Sequence, residues 1–533
     1  MVSQIPLFDS AWLARLQGEF RRSMRGLLFD LCDDLAEHYP AATERLRLPL
    51  GLFRLVGRSL GQADYGTWKV VGWIDLLNDL VYFVDLAEQY RREGDRAGFA
   101  EALAAECQEK LFENSYADDL FPQGLLTATD QAGKLGLRIE RLCRRLARQV
   151  TQESVLLVPG LPCRWLRQTG RSSWSLPFDP KPNFEQADWP GCVPIGLAGA
   201  ALRPAVRYKN ALGGGHTAWR IVVRRDGVTL AAGRTTIPLM TGDGRPKEGW
   251  TLQAPIVVRQ GLVGEALTLG PALVYGKDMT PHRLAAPPAR VADRIGLAWD
   301  AIQISWPEGA SLLRLFTSRL VPLQARGVVS FSYRHRPGLS FINTFERDQL
   351  DLIDDLIHEN SHHHLNLLLR KYELRRGDHN QRVFYSPWRR SLRPLHGILH
   401  ATFTFTMGAS LFERLSSWAE REGAADRLRG LGLTERDILR ARVRCLEEVA
   451  SVRYSLHDLR HVAHKLGWLS RAGVGLVEEL SAQTNRVARR IARHRAVGER
   501  SRFGPTLRKH VRTLQKARAT YPLPSPKLSR DLP

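Results

Sequence analysis

The chain reads as a multidomain α+β protein on three observations. Helical periodicity fills the first 150 residues, short β-rich runs broken by Gly and Pro follow, and helical periodicity then returns with a His-Glu-x-x-His motif inside it. A chain of 533 residues with 44% hydrophobic content can bury more than one core. The expected division is a helical N-terminal domain over 1–150, a β-rich domain over 151–290, a metal-binding catalytic domain over 291–420 and a basic helical region over 421–533.

In the first part, Trp12, Leu16, Phe20, Met24, Leu27, Leu31 and Leu35 recur at three- and four-residue spacing, the stripe of an amphipathic helix. Val70 to Leu86 is apolar on so many faces that it predicts a central helix. In the second part, Ile221 to Leu230 predicts a hairpin, with Asp226-Gly227 as its tight turn. Gly213-Gly-Gly-His216 lacks the Lys-Ser/Thr of a phosphate loop and reads as a plain loop. Ala285-Ala-Pro-Pro marks the boundary before the third part.

The chemistry concentrates at His358-Glu-Asn-Ser-His362. On a helix, positions i and i+4 share one face, so His358 and His362 can aim two imidazoles at one cation, with Glu359 beside them to polarise a bound water or support the ligands. The helix is expected to begin near Phe345, capped by Asn343 or Thr344 with Glu346 in its first turn, and to follow a strand at Val328 to Tyr333 and another at Leu339 to Ile342. Asp354, one turn before His358, is positioned to accept a hydrogen bond from a ligand imidazole. A third ligand is needed. His396 and His400 share a face of the next expected helix, where Pro394 suits the first turn, and either can close the set. His363 and His364 point away from the His358/His362 face, and His379 sits in a polar loop. His457, His461 and His464 form a second helically spaced set without an acidic partner in the usual place.

The His358-Glu-x-x-His362 helix with Leu365, Leu367 and Leu368, followed by Tyr385-Ser-Pro-Trp-Arg389 and Arg393-Pro-Leu-x-Gly-Ile-Leu-His400, resembles the HExxH motif-containing peptide-modification proteins. Some of these are 2-oxoglutarate-dependent peptide β-hydroxylases. The resemblance covers about residues 325 to 415. It implies His400 as third ligand, Fe(II) and 2-oxoglutarate as cofactors, and a ribosomally made precursor peptide as partner. It also implies Arg389 and Arg393 as the cationic fork for the distal carboxylate of 2-oxoglutarate. Trp388 beside them has the size to wall a pocket and exclude water, though a tryptophan is more often a packing residue. Within the motif, Asn360 and Ser361 depart from the family's usual aromatic residue and Gln.

A zinc metallopeptidase is the competing reading, with Glu359 as general base and Glu413 as a candidate closing ligand. The Gly-x-x-His extension of one large peptidase group is missing after the helix. The third reading is a non-catalytic basic binding protein. From Arg486 to Arg518 twelve cationic residues stand against Glu499 alone, half of the chain's net +22, which suits nucleic acid or an acidic partner. Aromatic residues for base stacking are nearly absent there, and the end from Tyr521 to Pro533 reads as disordered. The six cysteines have no paired spacing, the N-terminus has no signal-peptide pattern, and no long uncharged apolar run occurs. These features lead to the expectation of a cytoplasmic protein with reduced thiols and no membrane partner.

Overall fold

The computed structural model describes residues 5–93, 98–99, 102–103, 132–178, 193–197, 200–213, 218–259, 267–269, 288–324, 326–377 and 381–524. The fold is α+β, with helical N- and C-terminal regions around a β-rich middle. Gly214 to His216, the Ala285 boundary and His379 lie outside the described residues.

The N-terminal helices are α1 (Ser10–Glu37), α2 (Pro40–Leu46), α3 (Leu50–Ser59), α4 (Trp68–Glu93), α5 (Ala132–Leu157) and α6 (Leu161–Thr169). Asp9 caps α1 by accepting from the Trp12 amide, and the expected stripe buries Leu16, Met24, Leu31 and Leu35. As expected, α4 is buried nearly all round, from Trp68 to Ala87.

The middle contains β1 (Ser173–Phe178), β2 (Val193–Ile195), β3 (Ala200–Pro204), α7 (Val206–Gly213), β4 (Trp219–Arg224), β5 (Gly227–Ala232), β6 (Thr235–Thr241) and β7 (Trp250–Gln253). They form a four-stranded antiparallel sheet β1-β4-β5-β6 and a three-stranded sheet β2-β3-β7. The expected hairpin is present, but its turn is shifted by one residue. Arg224 pairs with Gly227, so Arg225 and Asp226 make the turn and Gly227 opens β5. The glycine serves close packing instead of turn conformation: a Cβ there would lie 2.5 Å from the Met240 carbonyl oxygen on β6.

A third sheet, in the order β11-β12-β10-β9-β8, carries the next part. Its strands are β8 (Ile256–Arg259), β9 (Leu267–Leu269), β10 (Arg319–Leu323), β11 (Phe331–Ser332) and β12 (Leu339–Asn343). Helices α8 (Pro288–Ser305) and α9 (Pro307–Phe316) precede β10. Then come α10 (Gln349–Lys371), the hairpin β13 (Phe384–Ser386) and β14 (Ser391–Arg393), α11 (Leu395–Trp418), α12 (Ala424–Gly430), α13 (Glu435–His461), α14 (Arg471–Ile491), α15 (Arg495–Arg500) and α16 (Gly504–Thr520).

The metal-motif helix α10 starts later than its sequence suggests. Asp348 is its N-cap, in a capping box with Asp351, while Glu346 sits before the helix at φ +53°. The reciprocal Asp348–Asp351 pair satisfies two amides that Asn343 and Thr344 would leave open. Those two residues instead tie the loop to the sheet, through Asn343 Nδ2 to the Val328 carbonyl and Thr344 Oγ1 to the Leu323 carbonyl. The strand expected over Val328 to Tyr333 is confined to Phe331–Ser332.

Buried side chains make two large cores. One runs from Met24 to Trp250, and the other joins Ile5 to Leu16 with residues from Leu267 to Leu507. Helices beyond residue 420 thus share the core of α10 and α11. The basic tail is accordingly docked: α16 buries Leu507, Leu514 and Ala517, Arg518 pairs with Asp458 and covers the Tyr454 ring, and Tyr521 stacks on Tyr385 at 5.3 Å. Disorder expected from Tyr521 onward therefore does not begin there, because the Pro524 carbonyl also lies 2.8 Å from His461 Nε2. Among the described residues no helix is long and apolar enough to cross a membrane.

Leu507→Ala should lower stability by about 2 kcal/mol or more, the usual cost of truncating a packed leucine. A urea midpoint unchanged by this substitution would mean that the tail is not docked in solution.

Candidate metal centre

The antiparallel packing of α10 on α11 brings the site together, as the side-chain contacts show. His362 faces His400, His358 faces Phe405, and Asp354 lies beside Gly408. Ligand atoms of His358, Glu359 and His362 all fall within 4.8 Å of one another, the one such group of His, Cys, Asp or Glu side chains among the described residues. The rings of His358 and His362 are 5.0 Å apart at 79°. With a metal–nitrogen bond of ~2.1 Å and a ring centre ~3.2 Å from the ion, that spacing matches a nitrogen–metal–nitrogen angle of roughly 100°. His400 stands 6.2 Å from His362, ring centre to ring centre, facing the pair from α11 but outside the group whose ligand atoms lie within 4.8 Å of one another. His396, one turn earlier on α11, is exposed. The His400 imidazole is pushed down to about 4, first by burial and then by the charges of His396, Arg334 and Arg375. It is neutral at neutral pH, the form that binds a cation. The residues present therefore fit a divalent transition metal held by imidazole nitrogens.

Glu359 is buried and accepts a hydrogen bond from Ser332 Oγ at 2.8 Å, which fixes its carboxylate from the β11 side. The other motif residues hold the helix in place. Asn360 accepts from Thr317 Oγ1 at the end of α9, and Ser361 donates to the Ile357 carbonyl. His363 Nε2 lies 3.0 Å from Ser340 Oγ, and His364 stacks on Phe316. Both rings face away from the ion position, as their spacing predicts.

The Trp388 indole stacks on Phe405 at 4.3 Å, and Phe405 in turn meets the His358 ring at 5.1 Å. The indole N–H donates to Glu448 Oε2 at 2.7 Å, from α13. Asp354 accepts from Arg444 of α13 at 2.6 Å. Glu413 is buried, accepts from Ser417 and pairs with Arg490, and is not in the metal group. His457, His461 and His464 do not converge: His461 meets Pro524 and His457 neighbours Asp458.

Arg389 is exposed in the β13–β14 turn, and Arg393 is half-buried against the first turn of α11 near Gly397. Burial lowers the Arg393 proton affinity, and the neighbouring charges of Arg389 and Arg382 add to the effect. The two guanidinium groups whose charge reaches His400 are those of Arg334 and Arg375. Arg375 is anchored by a backbone bridge to Leu469, and its buried Nη1 has no hydrogen-bond partner among the described residues. Sequence reasoning passed over Arg334, Arg375, Ser332 and Glu448, because each reaches the site through loop or helix packing that no local spacing encodes.

No known protein-family model matches the chain, and neither does any curated protein.

His358→Ala, His362→Ala and His400→Ala should each abolish retention of a transition metal, whereas His396→Ala should retain it; elemental analysis of protein purified without oxygen reads the result. A second expectation concerns pH. Burial raises the Glu448 carboxyl from an ordinary 4.5 to about 8, against the Trp388 hydrogen bond and the Arg444 charge that lower it. The folded chain thus keeps a proton that the unfolded chain releases, so this group removes stability progressively as pH climbs from about 4.5 to about 8 and removes none below that window. Glu448→Gln should flatten the fall of melting temperature across that range, and an unchanged slope would place the carboxyl in water.

Proposed function

We propose that the chain is a metal-dependent peptide-modifying enzyme, an Fe(II)/2-oxoglutarate-dependent hydroxylase of a side chain in a ribosomally made peptide. The observation that carries the reading is the Nη1 of Arg375, buried and without a hydrogen-bond partner among the described residues, on a guanidinium whose charge acts on His400. A buried cationic donor left without a partner is costly unless an anion completes it, and the distal carboxylate of a keto acid is such an anion. A hydrolytic zinc site has no requirement for that group.

Ferrous iron with 2-oxoglutarate and dioxygen supplies, when bound, the oxidation of an unactivated C–H bond. His358, His362 and His400 would hold the metal and leave three positions for the cosubstrate and dioxygen. Arg375 would pair with the distal carboxylate and set the orientation of the keto acid. Arg389 and Arg393, which the family resemblance favours for this role, are held at the surface and at the foot of α11. Trp388 and Phe405 exclude water from the His358 side. Glu359, held by Ser332, would steady the imidazoles without acting as a hydrolytic base.

Adding 2-oxoglutarate to the anaerobic ferrous protein should produce a visible metal-to-ligand charge-transfer band, and Arg375→Ala should weaken that titration about tenfold or more, the scale of one charge-assisted hydrogen bond. Glu359→Gln should keep the band. Cleavage of peptides without 2-oxoglutarate, lost in Glu359→Gln, would overturn the reading in favour of a zinc peptidase.

A further inference from the structure

The metal chemistry proposed above makes no use of the basic tail, and docking of the tail sorts its cations into two groups. Arg486 pairs with Glu479, Arg490 with Glu413, Arg493 with Glu420 and Arg518 with Asp458, so these charges are neutralised within the chain. Arg508, Lys509, Arg512 and Lys516 are exposed, and among the described residues no carboxylate pairs with them; Arg508 Nη1 donates to the Glu499 carbonyl. At 100° per residue these four share the face of α16 opposite the buried Leu507 and Leu514, together with Pro505 and Ala519. Arg500 and Arg502, both exposed, extend the positive surface at the start of the helix.

This face works against the helix that carries it. Arg508, Arg512 and Lys516 stand at i, i+4 and i+8, where like charges repel. No Asp or Glu occurs from Gly504 to Thr520, so the first turn also lacks the acid that the helix dipole favours. A helix that only meets water gains from acids interleaved with its bases. Here an anion laid along the row would relieve the repulsion.

We propose that the outer face of α16 docks double-stranded DNA, held through its phosphates without reading the bases. From Arg508 to Lys516 the helix rises about 12 Å. Over that distance B-DNA carries about seven phosphate charges in a fixed array that a straight helix can follow. The face has no aromatic ring on which an unpaired base could stack, and no large apolar side chain that could enter a bilayer. Besides its cations it presents Pro505 and Ala519, which offer no side-chain polar group to the 2′-hydroxyls by which duplex RNA is read. An unfolded acidic peptide brings no fixed array and would have to be ordered on binding.

Fluorescence anisotropy of a short labelled DNA duplex, titrated with the full-length chain over a range of salt concentrations, tests the surface. The duplex should bind, and more weakly as salt rises. Arg512→Gln with Lys516→Gln should lower affinity about tenfold or more and reduce the slope of log affinity on log salt by about two, the share of two phosphate contacts. The same variant should melt no lower than the parent, since it removes repulsion and leaves the buried side of α16 untouched. Arg22→Gln with Arg25→Gln, at two exposed positions of α1, removes equal charge and should leave both readings unchanged. Equal losses in the two variants would reduce the binding to net charge and overturn the proposal. So would an unaltered slope in the α16 variant, or tighter binding of poly-glutamate or of an RNA duplex of the same length. None of these readings involves the metal, so their failure is separate from that of the charge-transfer titration.

Discussion

The structure depends on the close antiparallel packing of two helices that carry polar side chains into a shared core. Helix α10 buries residues on almost every face, including Glu359, Asn360, Ser361, His363 and His364, and α11 is buried nearly as completely. Such a helix cannot slide or turn without breaking the hydrogen bonds that satisfy its polar groups inside the protein. Thr317, Ser332 and Ser340 each hold one of these side chains from a different element, so the rotation of α10 is fixed by three independent bonds. The result is a pair of imidazoles whose direction is set before any ion arrives, which is the condition for a site to bind without first reorganising.

Around that pair, α13 supplies a polar wall. Arg444 bridges Asp351 and Asp354 of α10, while Glu448, one turn further, takes the Trp388 indole. This arrangement clamps the start of α10 and the β13–β14 turn to the same helix. The tail then closes on α13 through Arg518 and Asp458, and Ser451 lies 2.8 Å from His510 Nε2. Part of the basic excess is therefore consumed by internal pairing: Arg490 meets Glu413 and Arg493 meets Glu420. The cations left on the outer face of α16, such as Lys509, Arg512 and Lys516, are exposed and solvated.

Much of this was legible in the sequence, wherever a periodic pattern carried the information. The α1 stripe, the fully apolar α4, the change to β structure and the i, i+4 histidines all follow from local spacing. The choice of His400 over His396 follows from the family resemblance, and the packing register of α10 on α11 puts it opposite His362. What spacing could not supply was the start of α10, because a reciprocal Asp348–Asp351 pair competes better for the free amides than a single Asn343 or Thr344. Nor could it supply the hairpin turn, since the need for a side-chain-free position opposite Met240 outweighed the turn preference of Asp-Gly.

The residues that decide what can bind come from the connections, which explains why no motif announced them. Arg375 leaves the end of α10 and is pinned to Leu469, some ninety positions later, by a backbone bridge. Arg334 sits in the turn between β11 and β12, whose Arg334 carbonyl accepts from Arg370 of α10. Both loops are held by backbone contacts while their guanidinium groups remain available, one with a buried nitrogen and one at the rim of a cleft. A helix buried on nearly every face has little surface left for choosing a ligand. On the function proposed above, selection falls to side chains on the segments that enter and leave it, at the positions where their backbone is fixed and their charge is not neutralised.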